Sequence, residues 1–509
     1  MGLKVFKPRI YLLRRKRIGR MSASDTEGSV IERFGYRLSG IIERWMPNPF
    51  LFAILLTYLV FIAGLVLNQT GTIEPPNGNG SVGPVEMIDF WFGGFWGFLD
   101  FSMQMVVILM TGFVLAYHPA ANNLLVRLAK LPNTPAQAVV LVAGFSMAVA
   151  WIHWGFSLIL GAIFAREMGK VAHERGINVH YPLLCVAGYM GLGLTWHWGW
   201  SGSAPLLLTD ETEVGEGTAF AIVPEPVPVT ETIIHPYTIS LTLLSILFAV
   251  AVLYLITPSG ERARGITEYI PEDELYETAT DGGDPASESN DAATDEMVPA
   301  ERINNSRVLG GLFALAGVAY VLWILVTDGI EVWDLNTINF AFLMAGILVW
   351  TNPSTYRDKF GEASSAAAGI ILLFPFFAGI QGMMADSGLA GALAELIIGL
   401  STTETFPVFA WLAAALLNLF VPSGGGQWIV MGPSILEAAD QLGVEFGHAT
   451  MAFAVGEAHT NLLNPFWAIP LLAITRIKAR EMFGYAAVML LALFPFLAIV
   501  LYLLPYGMF

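Results

Sequence analysis

The sequence predicts an all-α polytopic membrane protein of about nine transmembrane helices plus two opposed re-entrant helical hairpins in an inverted repeat. Three observations predict it. Of the 509 residues 55% are hydrophobic and 13% charged, which leaves no stretch able to fold as a soluble domain with its own core. Apolar runs long enough to cross ~30 Å of hydrocarbon recur along the chain. The basic residues also sort to one side once those runs are threaded. Cys185, the single cysteine, has no intrachain disulfide partner and excludes a cysteine-cluster metal site. A net charge of -17 argues against nucleic acid as a partner.

Residues 1–28 form a basic and polar tail. Its start, MGLKVFKPRIYLLRRKRIGR, runs into polar sequence rather than an apolar core, so it is not a cleavable signal peptide, and Met21 is an alternative start. Residues 29–47 carry apolar positions at helical spacing with Arg and Glu between them, which predicts a helix lying in the membrane interface. Residues 48–257 form a first transmembrane repeat, with crossings at 48–67, 102–121, 182–208 and 236–257. Residues 258–306, rich in Pro, Ser, Asp and Glu, predict a disordered acidic cytoplasmic loop. A linking helix follows at 307–327. Residues 338–507 form the second repeat, with crossings at 338–352, 367–385, 447–474 and 483–507.

Two further apolar stretches are interrupted in their middles, by WIHWGFS (151–157) and VPSGGGQW (421–428). Charge decides between crossing and doubling back. Arg127 and Lys130 precede the 138–165 stretch and Arg166 and Lys170 follow it, so both its ends face the cytoplasm. The 406–436 stretch has Glu404 before it and Glu437, Asp440 and Glu445 after it, so both its ends face outside. Each is therefore a hairpin, entering from opposite faces of a cell membrane. In this multi-pass arrangement the N-terminus is cytoplasmic, the C-terminus is outside, and all 25 basic residues fall in the cytoplasm.

The order crossing, crossing, hairpin, long interrupted crossing, crossing then occurs twice with opposite orientation. PNPFLFAILLTYLVFIAG resembles LNTINFAFLMAGILVW, and SGSAPLLL resembles NPFWAIPLLA. The long crossings break at TWHWGWSGSAP and GEAHTNLLNP. Non-helical backbone at membrane depth is tolerated only where it is buried in protein or lines a wet cavity, so four breaks mark a ligand site near the midplane. Half-helix N-termini suit a carboxylate, and unwound carbonyls suit Na⁺. Candidate substrate-binding residues are Trp154, Gly155 and Ser157; Trp198, Ser201, Gly202 and Ser203; Ser423, Gly424, Gly425, Gly426 and Gln427; and Thr460, Asn461 and Asn464. A Na⁺ site is expected near Ser423, Asn461 and Asn464. Trp154, Trp196, Trp198, Trp428 and Phe466 wall an apolar slot for a short alkyl chain.

With no Lys or Arg at the midplane, a monoanion is favoured over a dicarboxylate. Glu457, inside an apolar segment, costs at least ~2.5 kcal/mol if charged, which makes it a candidate ion-coupling group beside His153, His197 and His459. Plainer readings stand next to these. Gly424 to Gly426 also suit close helix packing, the histidines also suit satisfied buried imidazoles, and Trp45 and Trp350 suit an interfacial belt.

RWMPNPFLFAILLTYL, MQMVVILMTGFVLA, WGFSLILGAIFARE, FPFFAGIQGMM, LFVPSGGGQWIVMGP and MAFAVGEAHTNLLNPFWAIPLLAI resemble the short-chain fatty acid transporter family over nearly all of residues 40–507. The GGGQW and GE…NPFWA blocks are its specific motifs, whereas the roles of the three histidines in the breaks rest on their position alone. The resemblance implies secondary active uptake of butyrate or acetoacetate, H⁺ or Na⁺ coupling, no other cofactor, and a homodimer in the lipid bilayer. Rival readings are a dicarboxylate or other organic-anion carrier of the same architecture and, remotely, an intramembrane serine hydrolase using Ser423 and His459.

Overall fold

The computed structural model describes residues 49–508 apart from 77–81, 259, 261–262, 276–297 and 420. The expected tail at 1–28 and the interfacial helix at 29–47 lie outside the described residues. The first repeat opens with α1 (Pro49–Gln69) and a second crossing built of two pieces, α2 (Pro84–Phe95) and α3 (Leu99–Ala116). A short amphipathic α4 (Pro119–Ala129) leads to a hairpin of α5 (Pro135–Ile152) and α6 (Trp154–Glu174). Next come α7 (Tyr181–Met190), a widened turn at Gly191–Thr195, a tight turn at Trp196–Trp198, a short α8 (Ser203–Leu207) and then α9 (Pro236–Ile256).

The linking helix is α10 (Arg307–Thr327), and the second repeat follows the same plan. Its crossings are α11 (Leu335–Trp350) and α12 (Pro353–Ser387), followed by a short α13 (Leu389–Leu400). The second hairpin pairs α14 (Phe406–Asn418) with α15 (Gly424–Leu442). The second broken crossing is α16 (Phe446–Thr460), a tight turn at Asn461–Leu463 and α17 (Pro465–Thr475), and α18 (Ala479–Leu503) closes the chain.

Among the described residues seven helices are long and apolar enough to cross a membrane. Six of them, with α11 and the two broken crossings, make the nine crossings. The seventh, α5, turns back instead at His153, and Ser157 Oγ on α6 closes the hairpin by donating to the Ser146 carbonyl on α5 (2.8 Å). The second hairpin is closed the same way by Gln427 Nε2 and the Ala414 carbonyl (2.6 Å). Ser157 and Gln427 each lie four residues past the tip, which is the inverted repeat written in single atoms.

Packing repeats as well. Helix α3 packs on α6, as α12 packs on α15; α4 on α6, as α13 on α15; and α5 on the Gly191–Thr195 turn that continues α7, as α14 on α16. The unit of hairpins and broken crossings rests on a scaffold in which α12 packs along α1, α2 and α3. Small residues allow this closeness, as expected where packing rather than hydrophobicity drives helix association. Gly94 and Gly382 bring α2 and α12 together backbone to backbone, and Gly161 and Gly188 do so for α6 and α7, where either added methyl would run into the other's carbonyl.

Two sequence expectations change here. The crossing expected at 367–385 is the end of the 35-residue α12, about 52 Å long, whose first turns carry Arg357, Asp358, Lys359 and Glu362 in exposed ion pairs. The loop expected to be wholly disordered is packed over its first part. Ile266, Ile270 and Leu275 are buried, Tyr181 N–H donates to the Arg264 carbonyl (2.8 Å), and Arg476 pairs with Glu274. Burial, reinforced by Arg264, pushes His180 down to about 3, so a neutral ring accepts the Arg264 N–H (3.1 Å).

Candidate functional site

The four interruptions meet. At the first tip the helix stops for the single residue His153, whose extended backbone (φ -156, ψ 111) restarts it as α6 while Nδ1 accepts the Phe156 N–H (3.1 Å). At the second, Ser423 takes the same conformation (φ -155, ψ 111), and Oγ accepts the Gly426 N–H (3.2 Å). Each is a side-chain cap satisfying one of the orphan donors of a helix start. The first tip is held to the first broken crossing by Trp154 N–H donating to Ser201 Oγ (2.9 Å) and by Trp200 N–H donating to the Trp151 carbonyl (2.7 Å).

At the centre lies a buried polar cluster shared by both repeats. Glu457 is fully buried. Its Oε2 is 3.0 Å from His197 Nδ1 in the other repeat, and its Oε1 accepts from Asn461 Nδ2 (3.2 Å). His197 Nε2 faces Ser203 Oγ (3.0 Å) and accepts the Ala204 N–H (3.1 Å). Asn418, the last residue of α14, aims Nδ2 at the Glu457 carbonyl (2.8 Å), Thr460 Oγ1 (3.0 Å) and Asn461 Oδ1 (2.8 Å). Asn461 Nδ2 also donates to the Leu192 carbonyl (3.3 Å), and Tyr189 OH donates to the carbonyls of Asn461 (3.0 Å) and Asn464 (3.3 Å). Among these groups Glu457 is the one carboxylate, and the remainder are amides, hydroxyls, an imidazole and backbone. A buried carboxylate survives only with such partners.

The expected residues divide. Ser203, Thr460, Asn461, Glu457 and His197 form the cluster, whereas Ser201 holds the first tip by accepting from the Trp154 N–H. His153 and His459 do not. The His153 ring lies 4.0 Å from that of Phe342 on α11. His459 faces α18, with Nε2 2.9 Å from the Leu490 carbonyl and its ring stacked on Trp411. Of the residues expected near Na⁺, Asn461 spends its amide on protein partners, the Asn464 carbonyl accepts from Tyr189 OH, and Ser423 Oγ caps α15.

The three glycines of the second tip are covered by rings. A methyl at Gly424 would strike Trp196, one at Gly425 Phe101, and one at Gly426 Phe377. Gly155 instead lies against the α3 backbone, with an added methyl 3.1 Å from the Ile108 carbonyl. Trp154 packs edge-on to Trp196 (5.8 Å) and Trp467 (5.6 Å), and Trp428 stacks on Phe220 (5.8 Å). The indole N–H groups of Trp154, Trp196 and Trp198 are buried without an acceptor, so these residues offer hydrogen-bond donors as well as apolar walls. Nothing is described of the Phe466 side chain.

Sequence reasoning missed Asn418 and Tyr189. Each is a lone polar residue in an apolar run, FPVFAWLAAALLN and LLCVAGYMGLGL, and intramembrane polarity was the signal that could have found them.

Opposed hairpins and broken helices around a buried polar centre define a membrane carrier of inverted-repeat design. The chain belongs to the short chain fatty acid transporter family, which matches residues 30–504. It is 34% identical over 91% of its length to an Escherichia coli protein, 97% of which is covered, named "Putative short-chain fatty acid transporter". A Haemophilus influenzae protein of the same name is 32% identical, with 93% of this chain and all of that one covered. The fold is similar to the crystal structure of the Alcanivorax borkumensis YdaH transporter, described as having an unusual topology, with a TM-score of 0.54 over 89% of this chain and 98% of that one at 16% identity.

Proposed function

We propose that the protein is a secondary active symporter of short-chain fatty acids and other small monocarboxylates such as butyrate or acetoacetate, driven by H⁺ or Na⁺. The observation that carries the coupling is Glu457, a fully buried carboxylate on a broken crossing of one repeat that meets His197 on the broken crossing of the other. A charge held there is costly, and its partners join the segments that alternating access must rearrange. The substrate would lie among the hairpin tips and the two breaks, its carboxylate on backbone, hydroxyl and indole donors and its alkyl end against the tryptophans. The absence of Lys and Arg from the cluster favours a single carboxylate. In this reading the chain needs no cofactor beyond the coupling ion and works as a homodimer with a cytoplasmic N-terminus and an external C-terminus.

Uptake of labelled butyrate into proteoliposomes, under an imposed Na⁺ gradient or an imposed pH gradient, tests this. Accumulation above equilibrium under one gradient supports symport and names the ion. No accumulation under either, by folded protein, refutes it. Competition by succinate as strong as by unlabelled butyrate would instead favour a dicarboxylate carrier.

A further inference from the structure

The bonds of His197 fix where its proton sits. A backbone N–H can only donate, so the Ala204 N–H at 3.1 Å requires a lone pair on Nε2. The ring proton is then on Nδ1, directed at Glu457 Oε2 3.0 Å away. In this conformation the imidazole is neutral, and Glu457 accepts from both His197 and Asn461. A proton arriving at Nε2 turns that nitrogen from acceptor to donor. The Ser203 hydroxyl, 3.0 Å away, can rotate and accept from it, but the buried Ala204 N–H has no such freedom and loses its acceptor. Two donors would then face each other across a gap made for one hydrogen bond, and an anion drawn between them satisfies both.

We propose that His197 takes up the coupling proton and that the substrate carboxylate binds to the protonated form, one of its oxygens accepting from Nε2–H and from the Ala204 N–H. This rests on the symport reading and selects its proton branch. Proton and anion enter from one side and leave on the other, no covalent bond is exchanged, and the neutral ring is restored, so one H⁺ accompanies one monocarboxylate and the cycle moves no net charge. Glu457 is the carboxylate that faces the imidazolium, with Oε2 3.0 Å from Nδ1 and Oε1 accepting from Asn461. Of the elements around the ring, α16 contributes Glu457, and α7 contributes Tyr189, one step removed through Asn461. The second tip contributes Gly424, and α5 carries no titratable side chain. His153 and His459 lack this arrangement, since neither ring bonds to a carboxylate.

Binding of butyrate to the full-length protein in lightly buffered detergent, followed by calorimetry and a pH indicator, tests it. The wild type should take up about one proton per butyrate bound, and its affinity should fall about tenfold per pH unit above the titration of the ring, since proton and anion assist each other reciprocally. His197→Gln keeps an acceptor for the Ala204 N–H but no titrating nitrogen, and should bind with a flat pH profile. Butyrate binding by the wild type without proton uptake overturns the proposal, whether or not the variant folds. So does a wild-type pH slope in His197→Gln. Uptake driven by Na⁺ and indifferent to pH overturns it too while leaving symport standing, whereas absence of uptake under either gradient refutes symport itself.

Discussion

Asn418 is the tie between the second hairpin and the second broken crossing. Its amide carries two hydrogens shared among three acceptors at 2.8, 3.0 and 2.8 Å, so two full hydrogen bonds are at stake, with one acceptor served by a shared hydrogen. At roughly 0.5–1.5 kcal/mol for each bond, Asn418→Ala should destabilise the protein by about 1–3 kcal/mol and lower its thermal midpoint in detergent by a few degrees. Asn418→Asp sharpens the test because it changes almost no volume. When protonated it keeps one donor. When ionised it faces the Glu457 carbonyl and Asn461 Oδ1 with no donor at all. Burial favours the protonated form, so the variant should approach wild-type stability at low pH and lose it as pH rises, a dependence that Asn418→Ala must not show. The readout is tryptophan fluorescence on heating. An Asn418→Ala protein that melts with the wild type, or an Asn418→Asp protein with no added pH dependence, refutes the tie.

Three further outcomes follow from the same geometry. Glu457→Gln should abolish concentrative butyrate uptake while leaving butyrate exchange between equal pools, and full active uptake by this variant would remove Glu457 from coupling. Gly426→Val should wedge the second tip away from Phe377 and cut uptake at least tenfold, with partial recovery in Gly426→Val/Phe377→Ala; no recovery would locate the damage elsewhere. Glu213, in the loop between α8 and α9, has its carboxyl pushed up to about 7, first by burial and then by Asp210 and Asp100. A folded value above the unfolded one means that its contribution is complete below the ordinary carboxylate range and lost as pH rises through about 7. Hydrogen exchange over residues 209–223, corrected for base catalysis, should therefore step up there in the wild type and not in Glu213→Gln.

The large plan was legible because it is written in hydropathy, charge sorting and helix-breaking residues, each of which acts locally. WIHWGFS and VPSGGGQW announced the tips, and TWHWGWSGSAP and GEAHTNLLNP announced the breaks. Helices α2, α4 and α13 went unread, since α2 mixes Glu, Asp and Gly with its aromatics and the other two are too short to cross. The partners within the site were not legible either. His153, His197 and His459 look alike in sequence, yet one caps a helix, one bridges the repeats and one bonds to α18, and only packing across hundreds of residues separates them. The glycines at 424–426 suit either a ligand or close packing in sequence, and the structure sets them against the rings of Trp196, Phe101 and Phe377.

His153 and Ser423 have the same backbone torsions within a degree, but their seats differ. The first tip sits against the main chain of α3, where Gly112 meets Gly155 and Phe156, and the second against the rings of Trp196, Phe101 and Phe377. A carrier whose halves were interchangeable would, by symmetry, divide its time equally between openings to the two sides of the membrane. Chemical differences between the halves break that equivalence, and the unequal seating of two identically built tips is one of them.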